Sequence, residues 1–290
     1  MMDATSQAPI RFHATQPSYR VDLPPPHSSR PSVLAFSHNK AGSSMFYKIL
    51  RELCDAVELT FVTIPGILFQ GGTEVRSVQV EVELNETGYC YGGFRHFPNF
   101  DIAMLDRARA TLLVRDPRDA LVSLYYSIRD SHPFPKSDGE LKRQMTASRA
   151  TAKALSIDEW AIANHGAVSR SLEGYVAQRF ASRPNVVIYR YEDIIFRKRD
   201  WIKDIATWYG WEIDDGTIDR IAAEADVFPK AADPTKHIRQ VYPGNYTSKL
   251  KRVTQEVLTR QFEPYLTLFG YETSLPVPKS LTFWRYWRAR

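Results

Sequence analysis

Two short stretches carry residue types suited to holding a strongly anionic ligand. The first, Asn39-Lys40-Ala41-Gly42-Ser43-Ser44-Met45, follows the apolar run Val33-Leu34-Ala35-Phe36. It gathers a cation, a glycine and two hydroxyls at one turn. The second, Arg115-Asp116-Pro117-Arg118-Asp119, follows Ala110-Thr111-Leu112-Leu113-Val114 and leads on to Ser123. Helix N-termini add outward-facing N–H groups and partial positive charge, so a basic, hydroxyl-bearing turn ahead of a helix suits a phosphate. The first turn is not a Walker A loop, because G-x-x-x-x-G-K-[ST] places its lysine after the second glycine. Here Lys40 precedes Gly42. Taken alone, this stretch reads equally well as an ordinary strand-to-helix turn.

Both turns need a strand before them and a helix after them, and the sequence supplies both. From Phe46 the apolar residues Ile49, Leu50, Leu53 and Val57 follow at one-face helical spacing. Pro117 suits a first helical turn, and Ala120, Leu121, Leu124, Tyr125 and Ile128 form the next stripe. Two such junctions predict a parallel sheet with ligand groups at the carboxyl ends of its strands. Residues 60–64 read as a strand stopped by Pro65-Gly66. Residues 78–84 alternate apolar and polar, and the turn-like Asn85-Glu86-Thr87-Gly88 allows a hairpin with Tyr89-Cys90-Tyr91. Residues 131–155 read as irregular and charged. A capping-box pattern at Ser156 and Glu159 starts a helix expected to reach about Ala181. Residues 185–191 form another strand, with Glu192-Asp193 at a helix start, and helices are expected near 198–209, 216–227 and 254–269.

Composition sets the wider bounds. The 290 residues are 43% hydrophobic and 24% charged, as in an ordinary globular protein able to bury a sizeable core. The net charge of +5 favours anionic ligands modestly, and the basic excess gathers beyond Phe228. Cys54 and Cys90 give no disulfide framework and no metal-ligand spacing, which predicts a reducing, cytoplasmic setting and no metal. No apolar run approaches the ~18 residues of a membrane span, so no integral membrane association is expected. Residues 1–31, rich in Pro and Ser, read as a flexible leader, and residues 32–290 as a single domain. The last ten residues, 281–290, mix aromatics with Arg, a composition that packs back on a domain more often than it binds nucleic acid.

Taken together, the motifs resemble the sulfotransferase family that uses 3′-phosphoadenosine 5′-phosphosulfate (PAPS). Asn39 to Ser44 resembles that family's P-K-S-G-T-T loop for the 5′-phosphosulfate. Arg115 to Ser123 matches R-x-P-x-D-x-x-x-S, whose Arg and Ser hold the 3′-phosphate. Arg239 to Gly244 is similar to the R-K-G-x-x-G segment that closes over the same phosphate, and Tyr191-Glu192-Asp193 resembles the element whose Tyr lies beside the adenine. The resemblance implies a three-layer, P-loop-like α/β fold with a central parallel sheet flanked by helices. It implies PAPS as co-substrate, PAP as product, and transfer to the hydroxyl, or less readily the amine, of a small molecule or glycan. Lys40 would neutralise charge on the bridging oxygen. Ala41, Gly42, Ser43, Ser44 and Met45 would line the phosphosulfate loop, and Arg115, Ser123, Tyr191, Arg239, Gln240 and Gly244 the rest of the nucleotide site. His96, in His96-Phe97-Pro98, resembles the general base, with Glu81, Glu83 and Glu86 as alternatives, since carbohydrate-directed members use a carboxylate.

The match has departures. Met45 stands where the family has an adenine-stacking Trp, Phe94 where a Lys is common, and Gln240-Val241 where Lys-Gly is expected. Two other readings use the same residues: a P-loop nucleotide phosphotransferase, and a non-catalytic basic protein for nucleotides or nucleic acid. The motif from Arg115 to Ser123 favours the sulfotransferase, with no nucleic-acid partner. A homodimer is compatible with this reading.

Overall fold

The structure, a computed structural model, describes residues 10–13, 18–72, 78–136, 138–227 and 241–275. Its strands are β1 (Ile10–His13), β2 (Ser18–Val21), β3 (Val33–Ser37), β4 (Thr60–Val62), β5 (Gln79–Glu81), β6 (Tyr89–Phe94), β7 (Ala110–Val114) and β8 (Val186–Arg190). Five of them form a sheet in the order β4-β6-β3-β7-β8, with every neighbouring pair parallel. The other three form a small sheet, β1-β2-β5. Thus part of the segment read from sequence as a leader supplies two strands.

The helices are α1 (Ser43–Ala56), α2 (Ile64–Gln70), α3 (Pro117–Tyr126), α4 (Glu140–Ala154), α5 (Ile157–Asn164), α6 (Gly166–Ala177) and α7 (Tyr191–Ile194). They continue with α8 (Lys198–Tyr209), α9 (Asp215–Ala225), α10 (Asn245–Lys249) and α11 (Arg252–Leu268). The central strands are buried on both sides, which is why they read as continuous apolar runs. Val33, Ala35, Cys90 and Leu113 face a core closed by Phe46, Ile49 and Leu53 of α1, Trp201 and Ile205 of α8, and Ile218 of α9. Leu34, Phe36, Tyr91 and Leu112 face the opposite core with Leu121 of α3, Trp160 of α5, Leu172 of α6 and Phe262 of α11. This is the expected three-layer α/β arrangement.

Several local expectations change. No hairpin joins residues 78–84 to 89–91: β5 pairs with β2, while β6 enters the central sheet between β3 and β4. Tyr89, Cys90 and Tyr91 are all buried, so β6 needs strand partners on both edges, which a hairpin would not supply. Pro65-Gly66 does not simply end a strand. Thr63 caps α2, accepting from the Gly66 N–H at 3.2 Å, and Pro65 takes an early helical position. The stretch read as irregular contains α4, whose only buried residue is Ala152. An exposed helix has no apolar stripe to detect, and surface pairs such as Arg143–Glu140 at 2.8 Å run along it instead. The long helix after Ser156 is two helices divided at His165-Gly166, although its capping box forms as expected.

One irregularity bears on the site. Leu34 pairs with Tyr91 but Phe36 pairs with Phe94, so β6 spends three steps against two on β3. This is a bulge, and Gly92 and Gly93 form it. Gly93 has φ +82, and a Cβ there would lie 2.0 Å from Thr63 Oγ1. Both conformation and space exclude a side chain. Gly93→Ala should therefore lower stability by about 2 kcal/mol or more in urea titrations. An unchanged midpoint would refute the need for this bulge.

Candidate active site

The carboxyl ends of β3 and β7 lie side by side, and their loops are stitched together by His38. Its backbone N–H donates to Leu113 O at 3.2 Å. Its Nε2 lies 2.8 Å from the Arg115 nitrogen and 3.0 Å from the Arg115 carbonyl oxygen, so the ring bonds the Arg115 backbone in either tautomer, while Nδ1 is buried with no hydrogen-bond partner. Burial lowers the pKa of His38 to about 4, so the ring stays neutral. Sequence reading gave His38 no role, because a histidine ending an apolar strand carries no signal of its own.

Lys40 follows in the left-handed region, at φ 66. Its half-buried ammonium donates to Ser127 Oγ at 3.1 Å. Burial, with the charges of Arg95 and Arg115, lowers its pKa to about 8. Ser127 was not singled out from sequence. It lies one turn beyond Ser123, on the same side of the helical segment, and begins a π-type turn over Ser127–Ser131. Ser123 itself is half-buried on α3.

Gly42, at φ 94, caps α1, with buried Ala41 before it and Ser43 and Ser44 opening the helix. A Cβ on Gly42 would meet the Tyr191 ring at 2.9 Å. The opposite demands on that ring come from Arg115, whose guanidinium lies 4.5 Å from its centroid, and from Val241, whose carbonyl accepts the Tyr191 hydroxyl at 2.7 Å. Arg115 is buried; its nearest carboxylate contact is Asp119 at 3.4 Å, and its Nε has no partner. Asp119 also accepts from the N–H groups of Gly244 (2.6 Å) and Tyr246 (2.9 Å). The aspartate of the second motif thus fastens the third segment to the second. Glu192 adds another tie, accepting the Asp116 N–H at 3.0 Å.

Lys40, Ala41, Gly42, Ser43, Arg115, Tyr191 and Gly244 are therefore gathered around the carboxyl ends of β3 and β7. Met45 is half-buried on α1 among the side chains of the α1–α8 core. Arg239 and Gln240 lie outside the described residues, as do 281–290. His96 is half-buried just beyond β6, and its neighbour Arg95 is near enough to act on the charge of Lys40. Of the alternative carboxylates, Glu86 pairs with Arg107 at the surface, and Glu81 and Glu83 line a groove of about 590 Å³ beside the small sheet. Among the described residues, no group of three His, Cys, Asp or Glu could hold a metal, and no helix is long and apolar enough to cross a membrane.

A family model, the sulfotransferase domain, matches residues 96–261, more than half of the chain. The chain belongs to this family. The matched span contains the Arg115 turn and Tyr191, and the Lys40 loop joins them across the β3–β7 pair. Mouse sulfotransferase SULT7A1, crystallised with PAP, has the same fold. The TM-score is 0.52 at 12% identity, covering 91% of this chain and 99% of that one. Retinol dehydratase in complex with androsterone and the inactive cofactor PAP gives a TM-score of 0.50 at 16% identity, over 87% and 84%. No curated protein sequence matches the chain.

The pin formed by His38 has a measurable consequence. Its folded pKa, about 4, lies below the ordinary 6.5, so the unfolded chain takes up the proton first. Stability is then lost as pH falls from 6.5 towards 4, by about 3 kcal/mol in all. His38→Gln, which keeps an acceptor but cannot titrate, should show a correspondingly flatter loss in urea titrations across that range. Parallel curves for the two proteins would rule out the pin.

Proposed function

We propose that this sulfotransferase moves the sulfuryl group of PAPS to a hydroxyl of a small molecule or glycan, with residues 32–290 acting as one domain. The observation that carries the reading is the convergence of two cations, buried Arg115 and half-buried Lys40, beside the N-terminus of α1. Lys40 and Arg115 follow adjacent strands; the Lys40 ammonium bonds the neutral Ser127 hydroxyl, and Arg115 meets Asp119 only at 3.4 Å, with Glu192 nearby. Like charges held this close in a poorly solvated crevice favour a ligand that brings negative charge. The partnerless Nε of Arg115 fits such a group, as do the first-turn N–H groups of α1.

PAPS would supply an activated sulfuryl group and a stable phosphate leaving group. Lys40 would hold its proton beside the bridging oxygen and offset charge as it develops there. Its pKa near 8 keeps it mainly protonated at neutral pH, and a nearby anion raises that value further. Ser43, Ser44 and the start of α1 would take the 5′-phosphate. Arg115 and Ser123 would take the 3′-phosphate, closed over by the segment from Arg239 through Gln240 to Gly244. Tyr191 and Met45 would flank the adenine. His96 would accept the acceptor's hydroxyl proton as the oxygen attacks sulfur. Positioning and charge stabilisation do most of the work in such a transfer.

Calorimetry should show PAP binding and no comparable affinity for ATP–Mg; the reverse order would overturn the reading in favour of a phosphotransferase. Arg115→Ala should weaken PAP by about 100-fold or more, since it removes a buried charged contact. Lys40→Ala should lower kcat by about 100-fold or more while retaining PAP. His96→Ala should abolish most transfer with PAP affinity nearly unchanged. Wild-type turnover from either variant would remove that residue from its role. A screen of phenols, alcohols and glycans with labelled PAPS would identify the acceptor class.

A further inference from the structure

Phe94 closes β6 just past the bulge, pairing with Phe36, and side-chain hydroxyls bond its carbonyl. Tyr47 Oη donates to Phe94 O at 2.8 Å. Ser37 Oγ lies 3.3 Å from the same oxygen and 2.9 Å from Tyr47 Oη. Tyr175 Oη reaches in from α6, donating to Ser37 O at 2.8 Å. Burial holds the Tyr47 pKa far above its ordinary value, so the hydroxyl remains a donor. Two residues beyond this clamp stands His96.

The other side of His96 is fixed as well. Phe97 packs on Phe36 with centroids 5.9 Å apart, and its ring meets Tyr175 at 6.1 Å and Phe180 at 5.8 Å. Gly174 admits it closely: a Cβ there would lie 2.5 Å from the Phe97 Cβ. The aromatic box anchors the chain after His96, and the hydroxyl clamp anchors it before. The two anchors differ in what they attach to. The box belongs to the core around α6. Tyr47 belongs to α1, the helix whose first turn carries Ser43 and Ser44.

We propose that Tyr47, assisted by Ser37, is the positioning residue for His96, tying the base to the helix that opens at the phosphosulfate loop. The inference rests on the proposed role of His96 as base. One rigid helix then presents donors to the anion at one end and, about one turn later, fixes the strand exit that carries the base. A displacement of about 1 Å at the reacting atoms is enough to cost about 100-fold in rate, so a backbone clamp two residues away is well placed to matter. Tyr47 touches neither substrate in this scheme and acts through the backbone.

Tyr47→Phe removes one hydroxyl and keeps the ring. It should lower kcat by about tenfold or more, with the PAP dissociation constant and thermal midpoint nearly unchanged. Ser37→Ala, a smaller change, should lower kcat in the same direction by less. Nitrogen-15 histidine NMR of the PAP-bound protein supplies a readout independent of turnover. Tyr47→Phe should shift or broaden the His96 ring resonances and leave those of His165, at the N-terminal end of α6, in place. Unaltered His96 resonances would overturn the clamp, as would kcat and PAP affinity falling together. Transfer that survives His96→Ala while Tyr47→Phe still perturbs the His96 ring would instead remove the base assignment and leave the clamp standing.

Discussion

The constraint on which the site depends is the contact between the Tyr191 ring and the Gly42 backbone. A side chain at position 42 would come within 2.9 Å of that ring, and the backbone there is left-handed. The same phenol carries the Arg115 guanidinium on its face and ties its hydroxyl to the Val241 carbonyl. Turns after β3 and β7, the end of β8 and the segment leading into α10 therefore meet at one side chain. Cation–π contact with a buried arginine is among the stronger forms of that interaction, because the cation has already lost its water. Tyr191 thus orients Arg115 without neutralising it.

That distinction decides the electrostatics of the crevice. Asp119 is buried beside Arg115, yet its oxygens also serve two backbone N–H groups, and its contact with the guanidinium is long at 3.4 Å. A fully paired arginine would make the pocket neutral and indifferent to anions. Here Lys40, Arg95 and Arg115 act on one another as like charges, which is part of why Lys40 loses its proton more readily than a free lysine. Such an arrangement stabilises the folded chain less than apolar or fully paired residues would. In the proposed reading, its gain comes when an anion enters.

The sequence disclosed much of this frame and missed specific parts for physical reasons. Strands β3 and β7 were legible because burial on both faces removes polar positions from them. The turns after them were legible because lysine, glycine, serine and arginine cluster there. Asp119 was visible as a motif letter, but its link to Gly244 spans the fold and leaves no local trace. His38, Ser127 and Tyr47 have only local neighbours in sequence, and their partners (Arg115, Lys40 and Phe94) come from other strands or helices. Helix α4 escaped notice because solvent, not a core, surrounds it. The division at His165-Gly166 was missed because apolar residues continue on both sides of it.

The sheet order separates two tasks that the chemistry joins. Arg115 and Tyr191 stand at the ends of β7 and β8, on one side of β3, and His96 follows β6 on the other. Lys40 follows β3 itself, the strand between them, where chain direction across the sheet reverses. In open parallel sheets that reversal parts the neighbouring loops and creates a crevice at the strand ends. In the proposed function, a lysine placed there reaches an anion held from one side and a reacting centre approached from the other. In the proposed reading, the nucleotide half is confined by the Tyr191 contacts and has little freedom to change. The other half is bounded by surface elements such as α4, where Arg149 stacks 4.2 Å from the Phe134 ring centroid and donates to Ile128 O at 3.0 Å. Residues on that side can be replaced without disturbing the ring that holds the four segments together, so acceptor choice can diverge while sulfuryl chemistry is retained.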